Sequence, residues 1–334
     1  MPDYGFNFQW MFSYHGEHPQ EPDERALDFM AEYGFDFVRI PTDYNFWTTD
    51  FNYFEPDEAI FAYLDRYLEA CKSRNFKMSL NMHPAPGYCI NANEREKHNL
   101  WLDMIAQDAF VFLWETFATR YEGVDSQHLS FDLVNEPAAV GDFGLTRENH
   151  AALIRRTVDA IRAIDPNREI VIDGLAGGHV AMPELADIGV IHSGRGYQPM
   201  PVSHWGATWW DGWKVAPSSD YLGTQWDDKI WNQQTIHTHY QSWRDVEAMG
   251  ATIHIGEFGC FNLTPNDVAL RWFEDILSLY QQYGWGYALW NFEGAFGIIN
   301  HGRKDANFEQ IGAYQVDRAL LDLLIKYRIQ NERN

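Results

Sequence analysis

Two short stretches hold the residue types best suited to chemistry. "SFDLVNEP" (130–137) carries an apolar run into Asn135-Glu136, and "TIHIGEFG" (252–259) carries another into Glu257. A carboxylate at the edge of a core has a desolvation cost, so it is paired, exposed on a loop, or functional. Glu136 and Glu257 stand 121 positions apart, so only a fold can bring them together. Two carboxylates across a pocket are the equipment for glycosidic cleavage. One is protonated to give its proton to the leaving oxygen, and the other is ionised to attack or to activate water.

The elements that must position them follow from periodicity. Short apolar runs at 5–12, 35–41, 76–83, 129–136, 169–174, 189–197, 252–259 and 286–292 predict eight strands. Between them lie helical patterns. Ile60, Tyr63, Leu64, Tyr67, Leu68 and Cys71 recur on one helical face, Thr146 with Glu148 opens a second helix, and Thr264-Pro265 and Gly284 bracket a third. Eight strands alternating with helices imply parallel βαβ units. The α/β class, and a single (β/α)8 TIM barrel over 1–334, is expected; a doubly wound sheet is the alternative, but no GxGxxG follows the first strand. In a barrel the strand C-termini form one rim. That rim would gather Arg39, His83, Asn135, Glu136, Tyr197, Glu257 and Trp290.

"DLVNEP" and "HIGEFG", with "VRIP" before, "NMHP" between and "ALWNF" after, resemble glycoside hydrolase family 5, the cellulase-like retaining (β/α)8 glycosidases. The resemblance implies Glu136 as acid/base, Glu257 as nucleophile, and Asn135 on the sugar 2-hydroxyl. It implies Arg39 beside Glu257 and Trp290 as the floor of the cleavage subsite. His83 and Tyr197 would be polar neighbours of the sugar, with Tyr197 also able to bond Glu257. His83 also reads as an ordinary satisfied rim histidine. One position departs from the family pattern: "RGYQP" puts Arg195 where a histidine usually precedes the tyrosine. Near Glu136 a guanidinium would lower that carboxyl's pKa, which does not suit a general acid. Arg195 therefore points elsewhere or binds a substituent on the substrate, and His192 or His204 could take the histidine's place.

An extended Trp-rich loop follows strand six. Trp205, Trp209, Trp210, Trp213, Trp226 and Trp231 fall within 27 residues. They read as an aromatic wall for sugar subsites joined by Trp10 and Trp47, or as a satellite core beneath a long loop. Net charge of −23 opposes non-specific binding to nucleic acid or an anionic membrane surface. No apolar run is long enough to cross a bilayer, and no signal peptide is visible, which fits a cytoplasmic protein or a secreted one whose leader was removed. Cys71, Cys89 and Cys260 form no zinc pattern, and His237 and His239 project to different helix faces, so no metal or cofactor is expected. A monomer is expected, with an oligo- or polysaccharide as its partner. Endo-β-1,4-glucanase is the leading expectation. Exo-acting β-glycosidase, or a mannan- or xyloglucan-type hydrolase of short oligosaccharides, comes next, and a non-catalytic carbohydrate-binding barrel is the reading from a different class.

Overall fold

The structure is a computed structural model that describes residues 2–12, 18–91 and 93–329. A strand forms at each predicted apolar run, but the first and fourth stop short of 5–12 and 129–136, so Asn135 and Glu136 follow their strand rather than end it: β1 Tyr4–Asn7, β2 Phe37–Thr42, β3 Lys77–Met82, β4 Leu129–Asp132, β5 Glu169–Asp173, β6 Ile191–Gly196, β7 Thr252–Phe258 and β8 Gly286–Leu289. They form a closed barrel in the order β1-β8-β7-β6-β5-β4-β3-β2. Each pairing described within that ring is parallel, as the (β/α)8 expectation requires. Two compact units make up the chain. One holds Gln9–Gly194 and Asp245–Ile253, the other Met1–Phe8, Arg195–Arg244 and His254–Asn334.

In the first unit, register sets what meets Arg39. Arg39 lies level with Ser79, and Ser79 with Ser130. Side chains alternate along a strand, so Asp132 sits on the same face as Ser130, one step further up. Asp132 is level with Val171, which puts Asp173 one step further again on β5. A long guanidinium can thus reach two carboxylates above it. Outside the strands, the helix Glu58–Lys72 buries Phe61, Leu64, Tyr67, Leu68, Ala70 and Cys71, so its inner face is turned toward Phe61 rather than Ile60 and Tyr63. Phe61 is drawn inward because its ring meets Trp47 and Phe117 at 5.5 and 5.1 Å. The helix Arg147–Ile164 starts with a reciprocal cap, but the partner of Thr146 is Asn149, not Glu148.

In the second unit, the pairing of β8 with β7 slips: Tyr287 is level with Ile255 and Leu289 with Phe258. Gly256 and Glu257 together oppose Ala288, a bulge that places the carboxylate-bearing residue out of regular alternation. The helix Asn266–Tyr283 ends at Gly284, whose φ of +76° is left-handed, as the sequence predicts. Two antiparallel hairpins, Thr224–Trp226 with Lys229–Trp231 and Phe308–Ile311 with Tyr314–Asp317, have no counterpart in the sequence reading. Their strands are three and four residues long, too short for alternation to register.

Candidate active site

Arg39 organises the first unit's share of polar groups. Its Nε donates to Asp132 Oδ2 at 2.7 Å and its Nη2 to Asn135 Oδ1 at 2.8 Å, with Asp173 Oδ2 3.9 Å away. All four residues are buried. A guanidinium out of water needs a carboxylate with good hydrogen-bond geometry, which Asp132 supplies, while Asp173 adds a second negative charge at ion-pair distance. Asn135 also donates its backbone N–H to the carbonyl of Met82, and its Nδ2 lies 3.4 Å from His83 Nε2. The His83 ring stands edge-on to Phe12 at 4.9 Å.

Glu136 is half-buried and holds a left-handed backbone, φ +49°. For a residue with a Cβ that conformation costs about 1–2 kcal/mol and persists when surroundings impose it. Here its N–H donates to Asp173 Oδ2 at 2.9 Å, and its carbonyl accepts from the Tyr88 hydroxyl at 2.6 Å. Burial, reinforced by the negative charge of Glu136, pushes the Tyr88 phenol well up, so it remains a donor. Asp173 therefore serves both Arg39 and the main chain of Glu136.

Glu257 anchors the second unit's polar groups. The carboxylate is buried; Oε2 accepts from the Tyr197 hydroxyl at 3.0 Å, and Oε1 lies 3.4 Å from Arg195 Nη2. Asn7, fully buried at the end of β1, donates to the carbonyl of Gly256 at 3.0 Å and braces the bulge from below. Arg195 has no exposed surface, and its carbonyl accepts from Tyr240, whose hydroxyl pairs with that of Tyr280 at 2.7 Å. Gly196 is obligatory: a Cβ there would strike the Tyr280 hydroxyl and the Cβ of Phe258. Trp290, half-buried after β8, donates its N–H to Phe258 O at 2.8 Å and joins Asn291 through a cis peptide.

Alternation along β6 puts Ser193 and Arg195 on one face and His192 on the other. His192 is held by burial at a pKa of about 4, neutral and turned away from Arg195, so it does not stand in for the expected histidine. His204 does lie beside Tyr197, ring to ring at 5.0 Å, with Nδ1 2.8 Å from Ser203 Oγ. Burial lowers its pKa to about 3.

The tryptophans divide. Trp209 is 61% exposed, with its ring edge-on to Phe261 at 5.0 Å and 6.2 Å from Phe296. Trp210 meets Trp226 at 5.2 Å and His204 at 6.1 Å. Phe296 closes the chain of rings at 5.3 Å from His204 and 6.3 Å from Tyr197. Trp231 is buried core within its hairpin, its indole N–H on the carbonyl of Trp226. In the first unit, Trp47 is 1% exposed and Trp10 lies under Tyr67 at 5.2 Å. These two are packing residues rather than part of an aromatic wall. Sequence reasoning missed Asp132, Asp173, Asn7 and Phe296. The first two were detectable as counter-charges that a buried Arg39 demands.

Comparison with known proteins adds identity. A family model described as Cellulase (glycosyl hydrolase family 5) matches residues 2–295. Endoglucanase C of Acetivibrio thermocellus is 30% identical over 317 residues, covering 86% of this chain and 89% of its own. Cellodextrinase A of Ruminococcus flavefaciens is 25% identical over 270 residues, 78% of this chain and 75% of its own. A solved structure of a glycoside hydrolase, 60% identical, superposes with a TM-score of 0.96 over 98% of this chain and all of that one.

Proposed function

We propose that this chain, which belongs to glycosyl hydrolase family 5, is a retaining endo-β-1,4-glucanase with a single catalytic domain. The observation that carries the reading is Glu257, a buried carboxylate whose two oxygens face Tyr197 and Arg195 and whose backbone sits in a bulge. A nucleophile must be aimed before substrate arrives, and contacts to both oxygens support that role for Glu257.

In the first step Glu257 attacks the anomeric carbon while Glu136 gives its proton to the departing glycosidic oxygen. The glycosidic bond breaks as the glycosyl-enzyme ester forms. In the second, Glu136 takes a proton from water, the water oxygen bonds the anomeric carbon, and Glu257 leaves as a carboxylate. Asn135, fixed by Arg39, would hold the sugar 2-hydroxyl, an interaction that strengthens as oxocarbenium character develops. Trp290 would floor the cleavage subsite, His83 would flank the sugar, and Trp209 and Trp210 would meet it further along the chain.

The endo assignment leans on the endoglucanase relative that matches along most of both chains. A second reading, release from short oligosaccharides, has support from the cellodextrinase relative. Incubation with β-glucan, cellulose, mannan, xyloglucan, xylan and their oligosaccharides, with Glu257→Gln alongside, separates them. Mixed-length products from a β-1,4-glucan, lost in the variant, are expected. Release from oligosaccharides alone would move the assignment to the second reading, and no cleavage of any of them would return the barrel to a binding role.

A further inference from the structure

The mechanism proposed above, on which this inference rests, makes Glu257 a nucleophile in one half-reaction and a leaving group in the other. We propose that Arg195 is a positioning residue that governs the second: it speeds departure of Glu257 from the glycosyl-enzyme. Its Nη2 lies 3.4 Å from Oε1 of Glu257, both side chains are shielded from water, and the opposite oxygen is held by Tyr197. Tyr240 on the Arg195 carbonyl and the tight packing at Gly196 fix the strand that carries it. An arginine stays cationic throughout the cycle, whereas Glu257 alternates between a carboxylate and a neutral ester.

A fixed cation favours the states in which the carboxylate is charged. It therefore opposes charge loss as the C1–Oε bond forms and assists charge recovery as that bond breaks. Water supplies the new oxygen on C1, its proton passes to Glu136, and the electron pair of the C1–Oε bond returns to Glu257. A neutral histidine at this position would leave the two half-reactions differently balanced. Because Arg195 has no exposed surface, its action runs through Glu257 rather than through a substituent on the sugar.

The test uses the full chain with 2,4-dinitrophenyl β-cellobioside, whose activated leaving group makes the first step easy. Arg195→Gln keeps hydrogen-bond donors but removes the charge. It should lower kcat on the order of tenfold to a hundredfold (about 1.4–2.7 kcal/mol). It should leave kcat/KM within about threefold, lower KM in parallel, and show a burst of dinitrophenol with a cellobiosyl-enzyme visible by intact mass. Arg195→Lys, which keeps the charge but not the reach, should fall between. Equal losses in kcat and kcat/KM with no burst would overturn the proposal. Should the glutamine variant not fold, the same ratio in Arg195→Lys decides. Peptide mapping of the trapped sugar tests the underlying reading separately: a label on a residue other than Glu257 would sink the nucleophile assignment itself.

Discussion

Replacing Arg39 by methionine keeps much of the side chain's volume and removes its charge. The guanidinium lies 2.7 Å from Asp132 and 3.9 Å from Asp173. At an effective dielectric of about 20 these separations correspond to roughly 6 and 4 kcal/mol of Coulomb attraction, most of it offset by the desolvation of three buried ions. What truncation exposes is the cost of buried carboxylates robbed of their cation, typically about 3–5 kcal/mol. Arg39→Met should therefore lower the urea unfolding free energy by that amount. Asp132→Asn in the Arg39→Met background should recover at least about 1 kcal/mol, because it removes a charge that no longer has its partner. Activity should fall with stability, since Asn135 and Asp173, which orient the Asn135-Glu136 segment, are both held by Arg39. A loss below about 1 kcal/mol, typical of an exposed pair, would refute the reasoning, as would strictly additive effects of the two substitutions.

Asn7→Leu should strip the bulge carbonyl of Gly256 of its donor, costing about 1–3 kcal/mol in urea unfolding, and should lower kcat more than it changes KM. Tyr88→Phe leaves the Glu136 carbonyl without its donor, with a similar cost, and should slow poorly activated glycosides more than aryl ones with good leaving groups. Trp47→Ala should destabilise by about 3–5 kcal/mol with KM unchanged, as expected of a core residue; a raised KM would return it to the sugar-binding wall. Burial holds His150 at a pKa of about 3 against an ordinary 6.5. The unfolded chain binds a proton in that window and the folded one does not. Its contribution to stability is therefore complete above about pH 6.5 and lost as pH falls toward 3, about 2 kcal/mol by pH 5. His150→Phe should flatten the acid side of the stability profile measured by urea unfolding, and an unchanged slope would contradict it.

The barrel was legible because its strands are near-continuous apolar runs, a pattern that buried parallel strands share and loops do not. Glu136 and Glu257 were legible for the converse reason: charge at the end of an apolar run stands out. Asp132 did not, because inside "SFDLVNEP" it precedes a more conspicuous Asn-Glu pair, and its partner lies 93 positions away in β2. That Arg195 and His192 take opposite faces could have been read from strand parity. The bulge at Gly256-Glu257 could not, because it depends on the register against β8 and on a buried amide from β1. Trp47 shows the limit of counting aromatics: only packing against Phe61 and Phe117 separates it from the exposed Trp209.

The most direct test of the central claim is proton NMR of cellohexaose hydrolysis, following the anomeric signals of the first products together with their chain lengths. The account predicts internal cleavage with the β-anomer appearing first and converting to α only by mutarotation, because retention passes through the ester on Glu257. First appearance of the α-anomer would mean direct attack by water and would contradict it.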